Sequence, residues 1–454
     1  MPLVHKLTRI VVLMLPIIVL ATPVPASANV PLTQISADPF TNADGQHRTQ
    51  VGSDTFQSGT TIFSAFQAGR GVGGGSAGVG FAAYDKRTHL WRTGFLDGIT
   101  VHRGGGVYGA VADVKVAYCL NCYDMWLISS LVTNGPGGST AIITSRTNSG
   151  GFSFFKPVVA TTGQLAGNWI VCNYSISGPC YLGYTVTNAG NALRMRVTTN
   201  GGLTWGPELG TADNAAGFAG KPVVQSDGTV IVPYLATNGQ IRSFRSTDRG
   251  QSWQSSVPVS VVQRHTTAGG LSTNALPSAQ RDYYGTTYVA WSDCRFRSGC
   301  AANDIVWSKS TSGTSWTAPR RVPIDAATST VDHFLPGIGV DPTSYTAETT
   351  RIGLTYYYYP NTNCTFATCQ LEIGFISSVN GGTTWSAPTR IAGPMNLSWL
   401  PDTEHGRTVG DYFSTEVAWG GNAYPFLSIA SAPSGGNFNQ ATFVPSGGLP
   451  LTGG

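Results

Sequence analysis

One short segment recurs along the chain and limits what it can fold into. It is clearest at Ser246, Asp248, Gly250 and Trp253, a frame of Ser/Thr-x-Asp/Asn-x-Gly-x-x-Trp. Thr198, Asn200, Gly202 and Trp205 repeat it, as do Ser378, Asn380, Gly382 and Trp385. Thr147, Ser149, Gly151 and Phe154 form a weaker copy, and Ser310 to Trp316 is one residue short. A remnant spans Tyr84, Asp85 and Trp91. The aromatic anchors at 91, 154, 205, 253, 316 and 385 are separated by 63, 51, 48, 63 and 69 residues. A recurrence on this scale means an array of similar supersecondary units, each too small to bury its own hydrophobic face alone.

Each copy reads as a hairpin turn between strands. The Asp or Asn side chain accepts hydrogen bonds from backbone N–H groups nearby. The Gly supplies a positive φ, and the Trp is expected to pack back into its own unit. Flanking runs such as Thr229 to Tyr234 and Ile305 to Trp307 are rich in β-branched and aromatic residues. The segment resembles the Asp box (BNR repeat) of the sialidases and other proteins built from that repeat. Asp248, Asn200 and Asn380, with Trp205, Trp253 and Trp385, carry the resemblance. It implies an all-β fold: a β-propeller of four-stranded antiparallel blades.

Composition agrees with a turn-rich β protein. Of 454 residues, 57 are Gly and only 11% are charged. The net charge of +4 is small and no basic cluster exists, so a nucleic-acid partner is not expected. Residues 1–28 combine a weakly basic start, an apolar run from Ile10 to Ala21, and Ala26-Ser27-Ala28. That is the pattern of a cleaved secretory signal peptide, and no other run is long and apolar enough for a membrane span. A secreted protein, soluble and monomeric after signal removal, is expected. The eight cysteines fall in close pairs, Cys119/Cys122, Cys172/Cys180, Cys294/Cys300 and Cys364/Cys369. In a secreted chain they read as local disulfides, each clamping one loop. Cys119 and Cys122 lack the second ligand pair that a zinc site needs, so neither a metal nor a cofactor is expected.

Candidate innermost strands begin near Val51, Val111, Trp169, Pro222, Leu276, Leu335 and Tyr412. These are seven starts against six repeat copies. Seven blades is the favoured reading, with the six of true sialidases as the alternative. Residues 45–445 form the propeller on this reading. The 29–44 segment is placed to supply a missing strand of the last unit, and residues 446–454 are a loose tail. Leu449 to Gly453 matches a cell-wall sorting signal, but the apolar and basic residues that signal needs do not follow within the sequence, and a chance match is expected.

In a propeller, the loops leading into the inner strands and those joining the second and third strands reach the mouth of the central channel. They bring Asp54, Trp169, His333, Arg407, Asp411 and Tyr412 from the first class, and Arg70, Asp293, Arg295 and Arg297 from the second. Guanidinium groups hold carboxylates through paired hydrogen bonds. The resemblance implies three Arg gripping an acidic sugar, a Tyr nucleophile and an Asp acid. Arg70, Arg295 and Arg407 match the triad, Tyr412 the nucleophile and Asp54 the acid. Asp411 stands beside the Tyr, and Arg297, Asp293, His333 and Trp169 complete the expected binding surface. The family's Phe-Arg-Ile-Pro motif has no counterpart here. The function so implied is a secreted sialidase-like glycoside hydrolase acting on terminal, acidic sugars of extracellular glycans. The alternative is a non-catalytic propeller that binds a glycan or a protein. The Gly-rich stretch 69–80 contains a G-x-G-x-x-G spacing, but no helical pattern follows it, so a dinucleotide site is not expected.

Overall fold

The computed structural model describes residues 29–134, 140–174, 178–218, 220–404 and 406–453; the expected signal peptide lies outside them. The described chain is all-β, with only four one-turn 3-10 helices. None of its helices is long and apolar enough to cross a membrane. Strands follow one another in antiparallel up-and-down groups. Gly45–Ser58, Thr61–Gly71, Ser76–Asp85 and Leu90–Phe95 make the first group, and Ala110–Cys119, Met125–Thr133, Thr140–Thr147 and Phe155–Gly163 the next. Asp332–Val340, Ile352–Tyr359, Gln370–Ser378 and Thr389–Asn396 are equally regular. Leu32–Gln34 pairs antiparallel with Gln440–Pro445, so residues from the 29–44 segment complete the last group.

The repeated segments are the tight turns between third and fourth strands. At the clearest copy the Ser246 hydroxyl donates to Asp248 Oδ1 at 2.7 Å. The Gly250 and Ser252 N–H groups donate to Ser246 Oγ (2.8 Å) and Asp248 Oδ1 (3.0 Å). The copies at Asn200 and Asn380 repeat these bonds. The Trp reaches across to the preceding unit; Trp253 also makes the contact within its own unit expected from sequence, with Phe244 at 5.7 Å. Trp253 meets the edge of Tyr181, and Trp385 that of Trp307. Trp205 Nε1 donates to Thr144 and Trp316 Nε1 to Ser243. The glycine is required for the same reason. A Cβ on Gly250, whose φ is 81°, would lie 2.7 Å from Val197 and 2.9 Å from the Tyr181 ring. The repeat therefore joins neighbouring units, which explains why it persists where the rest of the sequence has diverged between copies. Asp248→Ala removes the acceptor that orders one such turn and is expected to cost about 1–2 kcal/mol, measurable as a lower urea midpoint with an unchanged slope.

Apolar clusters fill the spaces between groups. One holds Phe63, Phe81, Val116, Trp126 and Ile128, and another Tyr288, Trp307, Ile338, Leu354 and Tyr356. The four cysteine pairs are bridged as expected: Cys119–Cys122, Cys172–Cys180, Cys294–Cys300 and Cys364–Cys369. Such bridges are compatible with an oxidising, extracellular setting. Each bridge closes a short loop as expected, and two of them do more. Cys172–Cys180 joins directly opposed residues of two paired strands. Cys369 is buried in the apolar cluster that holds Tyr359, Leu371, Met395 and Leu397. Its N–H donates to the Thr365 carbonyl at 2.8 Å, while its partner Cys364 is only partly buried against the same cluster. The short loop 364–369 is thereby pinned to the core at its Cys369 end, because a half-cystine sulfur packs as an apolar group.

The C-terminal residues are not loose. Leu449 and Leu451 are buried, and Ser377 Oγ bonds both the carbonyl and the N–H of Thr452 at 3.0 Å.

Candidate active site

The first strand of several groups carries a register shift near its start: Val51/Asp54, Ala112/Lys115, Ala166/Asn168 and Phe334/Gly337. The extra residues include Gly52, Asp113, Gly167 and Leu335, all with φ between 47° and 64°. Bulges re-aim side chains and are over-represented beside active sites. Asp113 and Leu335 hold left-handed backbones without being glycine, a strain that persists only where surrounding bonds enforce it. For Asp113 those bonds are visible. Its Oδ2 accepts the Gly167 N–H at 3.1 Å, and its carbonyl accepts Asn168 Nδ2 at 2.5 Å.

The first three of these strands border an open cavity of about 1400 Å³, whose wall includes Arg70, Asp113, Lys115, Trp169, Asp411 and Tyr412. Four residues singled out from the sequence, Arg70, Trp169, Asp411 and Tyr412, therefore meet in one place. The rings of Trp169 and Tyr412 are 5.2 Å apart. Burial pushes the Tyr412 phenol well above 10, and the carboxylates of Asp113, Asp54 and Asp411 act in the same direction. Its hydroxyl makes no well-aligned hydrogen bond. Arg70 is buried and faces Asp411, and its Nε has no partner.

The other sequence candidates lie elsewhere. Asp54 is beneath the cavity, where its Oδ2 accepts the Val116 N–H at 2.8 Å and ties two inner strands together. Arg295 forks onto Asp293 through Nε (2.9 Å) and Nη2 (2.7 Å), inside the loop clamped by Cys294–Cys300. Arg297 is buried against Asp304 (2.7 Å) and Asp325 (2.9 Å). His333 is buried beside that pair, and desolvation draws its pKa down to about 4. Asp304, Asp325 and His333 have the spacing of a cation site, but the guanidinium groups of Arg297 and Arg321 already occupy both carboxylates. Arg407 lies over the Phe366 ring and bonds the Leu400 carbonyl, with Asp402 at 3.5 Å. Arg295, Arg297 and Arg407 do not line the cavity. The disulfide cysteines, Cys369 among them, do not line it either, and their part is in the fold.

Charged groups gather at and below the cavity floor, and among them Lys115 was missed by sequence reasoning. Lys115 is fully buried, and desolvation brings it down to about 8. Lys221 is lowered for the same reason. Glu416, also buried, is raised to about 8, with Lys221 opposing the shift. The available signal was a Lys two residues after Asp113 in the otherwise apolar strand Ala110–Cys119.

No protein-family profile matches the sequence, and no curated protein matches it. Among solved structures, an ulvan lyase from a new polysaccharide lyase family, bound to -[GlcA(1-4)Rha3S]-, superposes with a TM-score of 0.53 at 12% identity. That alignment covers 94% of this chain and 97% of the lyase. The NanB sialidase of Streptococcus pneumoniae aligns with a TM-score of 0.45 at 11% identity, over 91% of this chain and 70% of that one. The α-L-arabinofuranosidase Arb93A of Fusarium graminearum gives 0.44 at 13%, over 82% and 99%. The chain thus shares its fold with the ulvan lyase, at an identity too low to assign it to that family.

Proposed function

We propose that the protein is an extracellular, carbohydrate-active propeller of seven blades that takes an acidic sugar into the cavity and cleaves its glycosidic bond at Tyr412, as a sialidase-like glycosidase. Closure of the ring is supported by contacts between the inner strands, and the count of seven rests on the seven strand starts. Gly45–Ser58 touches both Ala110–Cys119 and Thr415–Val417, the first strands of its two neighbours. Trp91 meets the edge of Phe426 at 6.0 Å, the same backward reach as the other anchors, here across the junction between first and last units.

The observation that carries the functional reading is the meeting of Tyr412, Arg70, Asp113 and Asp411 at one open cavity. Arg70 supplies the cation for a sugar carboxylate, with Asp411 orienting it. Asp113 is the carboxylate that takes the phenol proton. The Tyr412 oxygen then attacks the anomeric carbon, and the glycosidic C–O bond breaks toward the aglycone oxygen, which takes a proton from water. The hydroxide so formed displaces the sugar from the Tyr412 oxygen, and the phenolate recovers its proton from Asp113, so that one water is consumed overall. Tyrosine nucleophiles are suited to anionic sugars because they place no second anion beside the substrate. The acidic uronate in the ulvan lyase complex, on the same fold, supports an acidic substrate.

A panel of fluorogenic sialosides, uronides and neutral glycosides tests this with the purified protein. Arg70→Ala is expected to raise KM for acidic substrates about tenfold to a hundredfold, the worth of a charge-assisted contact, and to leave neutral substrates unchanged. Equal effects on both classes would remove Arg70 from carboxylate recognition. One observation favours the non-catalytic alternative: Arg295, Arg297 and Arg407 all have Asp partners. Glycan binding in the cavity without turnover of any substrate would establish it.

A further inference from the structure

Lys115 occupies a position that neither folding nor the roles above explain. The bulge at Ala112/Lys115 turns its side chain inward, where it is fully buried. Its Nζ makes no hydrogen bond within the protein. It lies 3.1 Å from the centroid of the Tyr412 ring and 4.5 Å from that of Trp169. Lys221 stands 5.0 Å from the Trp169 ring, so cations and rings alternate beneath the cavity. An ammonium has three donors to satisfy, and burying it among aromatic faces is costly unless the charge is used.

Its use follows from what lies above it. Toward a neutral phenol, a cation on the ring face gains only the ring's quadrupole attraction. When the hydroxyl loses its proton, charge spreads into the ring and the attraction becomes that of opposite charges in a water-poor setting. The interaction is thus stronger in the transition state than in the ground state, the condition for a contribution to kcat.

We propose that Lys115 is a positioning residue for the reaction at Tyr412: its ammonium, pressed on the phenol ring, stabilises the negative charge that builds there as Asp113 takes the proton and the oxygen bonds to the anomeric carbon. The inference rests on Tyr412 as the nucleophile. The charged groups around the pair are Arg70, Asp54, Asp113, Asp411 and Lys221, with Glu416 facing Lys221 and Asp54.

The sign of the pH dependence is fixed. Lys115 titrates at about 8, so its charge is present below that pH and lost above it, and kcat falls through pH 8 on the alkaline side. Glu416 also titrates at about 8 and must be separated from it. The experiment compares pH profiles of kcat for the wild type, Lys115→Met, Lys115→Arg and Glu416→Gln on the best acidic glycoside of the panel. Lys115→Met is expected to lose about tenfold to a hundredfold in kcat at pH 7 with KM unchanged, and to lack the alkaline limb. Lys115→Arg keeps most of the activity and moves the limb up by more than about two pH units, because a guanidinium stays charged. Glu416→Gln keeps the wild-type limb. The chain has only six lysines, so 13Cε-lysine NMR, with Lys115→Arg identifying the signal, shows whether Lys115 is an ammonium at pH 7. Where Lys115→Met does not fold, Lys115→Arg and the NMR titration decide. Wild-type kcat and limb in Lys115→Met, a limb unmoved in Lys115→Arg but abolished in Glu416→Gln, or a neutral Lys115 at pH 7 each overturn the inference while leaving Tyr412 in place. Absence of turnover by the wild type sinks the nucleophile reading, and Lys115's role with it.

Discussion

Tyr412→Phe is expected to abolish turnover, lowering kcat/KM by at least about a thousandfold, while leaving the thermal midpoint where it was. The two outcomes separate because of how the side chain is held. Its ring contacts Trp169 and the Lys115 ammonium, and phenylalanine preserves both contacts. Its hydroxyl makes only a loose approach to the Asp113 carboxylate, which keeps the Gly167 N–H as a donor, so deleting it strands no buried group. Activity on the best substrate of the panel and thermal unfolding of the same preparation form the measurement. Retained activity would remove the phenol oxygen from the chemistry. A parallel fall in stability would assign it to the fold instead.

Arg297→Ala is expected to be the most destabilising single change outside the hydrophobic core, at about 3–5 kcal/mol. The guanidinium is 1% exposed and is fully engaged. Nε and Nη2 fork onto Asp304 at 3.0 and 2.7 Å, Nη2 reaches Asp325, and Nη1 donates to the Ser329 carbonyl at 2.7 Å. Removing it leaves Asp304, itself 1% exposed, with Arg321 alone, and leaves His333 too costly to charge as a substitute. Arg297→Lys recovers little, since a point charge cannot reproduce the fork. Urea unfolding reads the loss directly. A cost below about 1 kcal/mol would mean that the carboxylates relax to water once the arginine is gone.

The distribution of what could be read from sequence has a physical reason. The turns around Asp248, Asn200 and Asn380 were legible because their bonds are local, closing within five residues. The disulfides were legible because each pair lies close in sequence, although the core that receives Cys369 draws on the flanking strands and on distant residues such as Leu271, Val417 and Leu427 alike. The packing of Trp253 was only partly legible: its contact with Phe244 lies within the unit, but its partner Tyr181 belongs to another and nothing local specifies it. The site shows the same division. Tyr412, Asp411, Arg70 and Trp169 follow from their places at strand starts and loop tips. Arg295 and Arg297 hold equivalent places but have carboxylates within reach, at Asp293 and Asp304, and satisfy them first. Lys115 was hidden by a bulge: strict alternation along its strand gives no warning that residues 113 and 114 shift the register.

Leu32–Gln34 has one further consequence. Its partners, Gln440–Pro445, lie some four hundred residues downstream, and Thr33 and Ser446 are bonded across 413 positions. During synthesis the early strand has no mate until nearly the whole array has emerged. Each intermediate group can dock on the one made before it, through a backward-reaching aromatic such as Phe154 or Trp253, but the last must wait for a segment made first and kept unpaired. The entropy of closing so long a loop rises only slowly with length, so the obstacle is one of order and time. An unmated strand edge exposed for that interval is open to pairing with another chain, and quality of assembly therefore depends on how promptly the two ends meet.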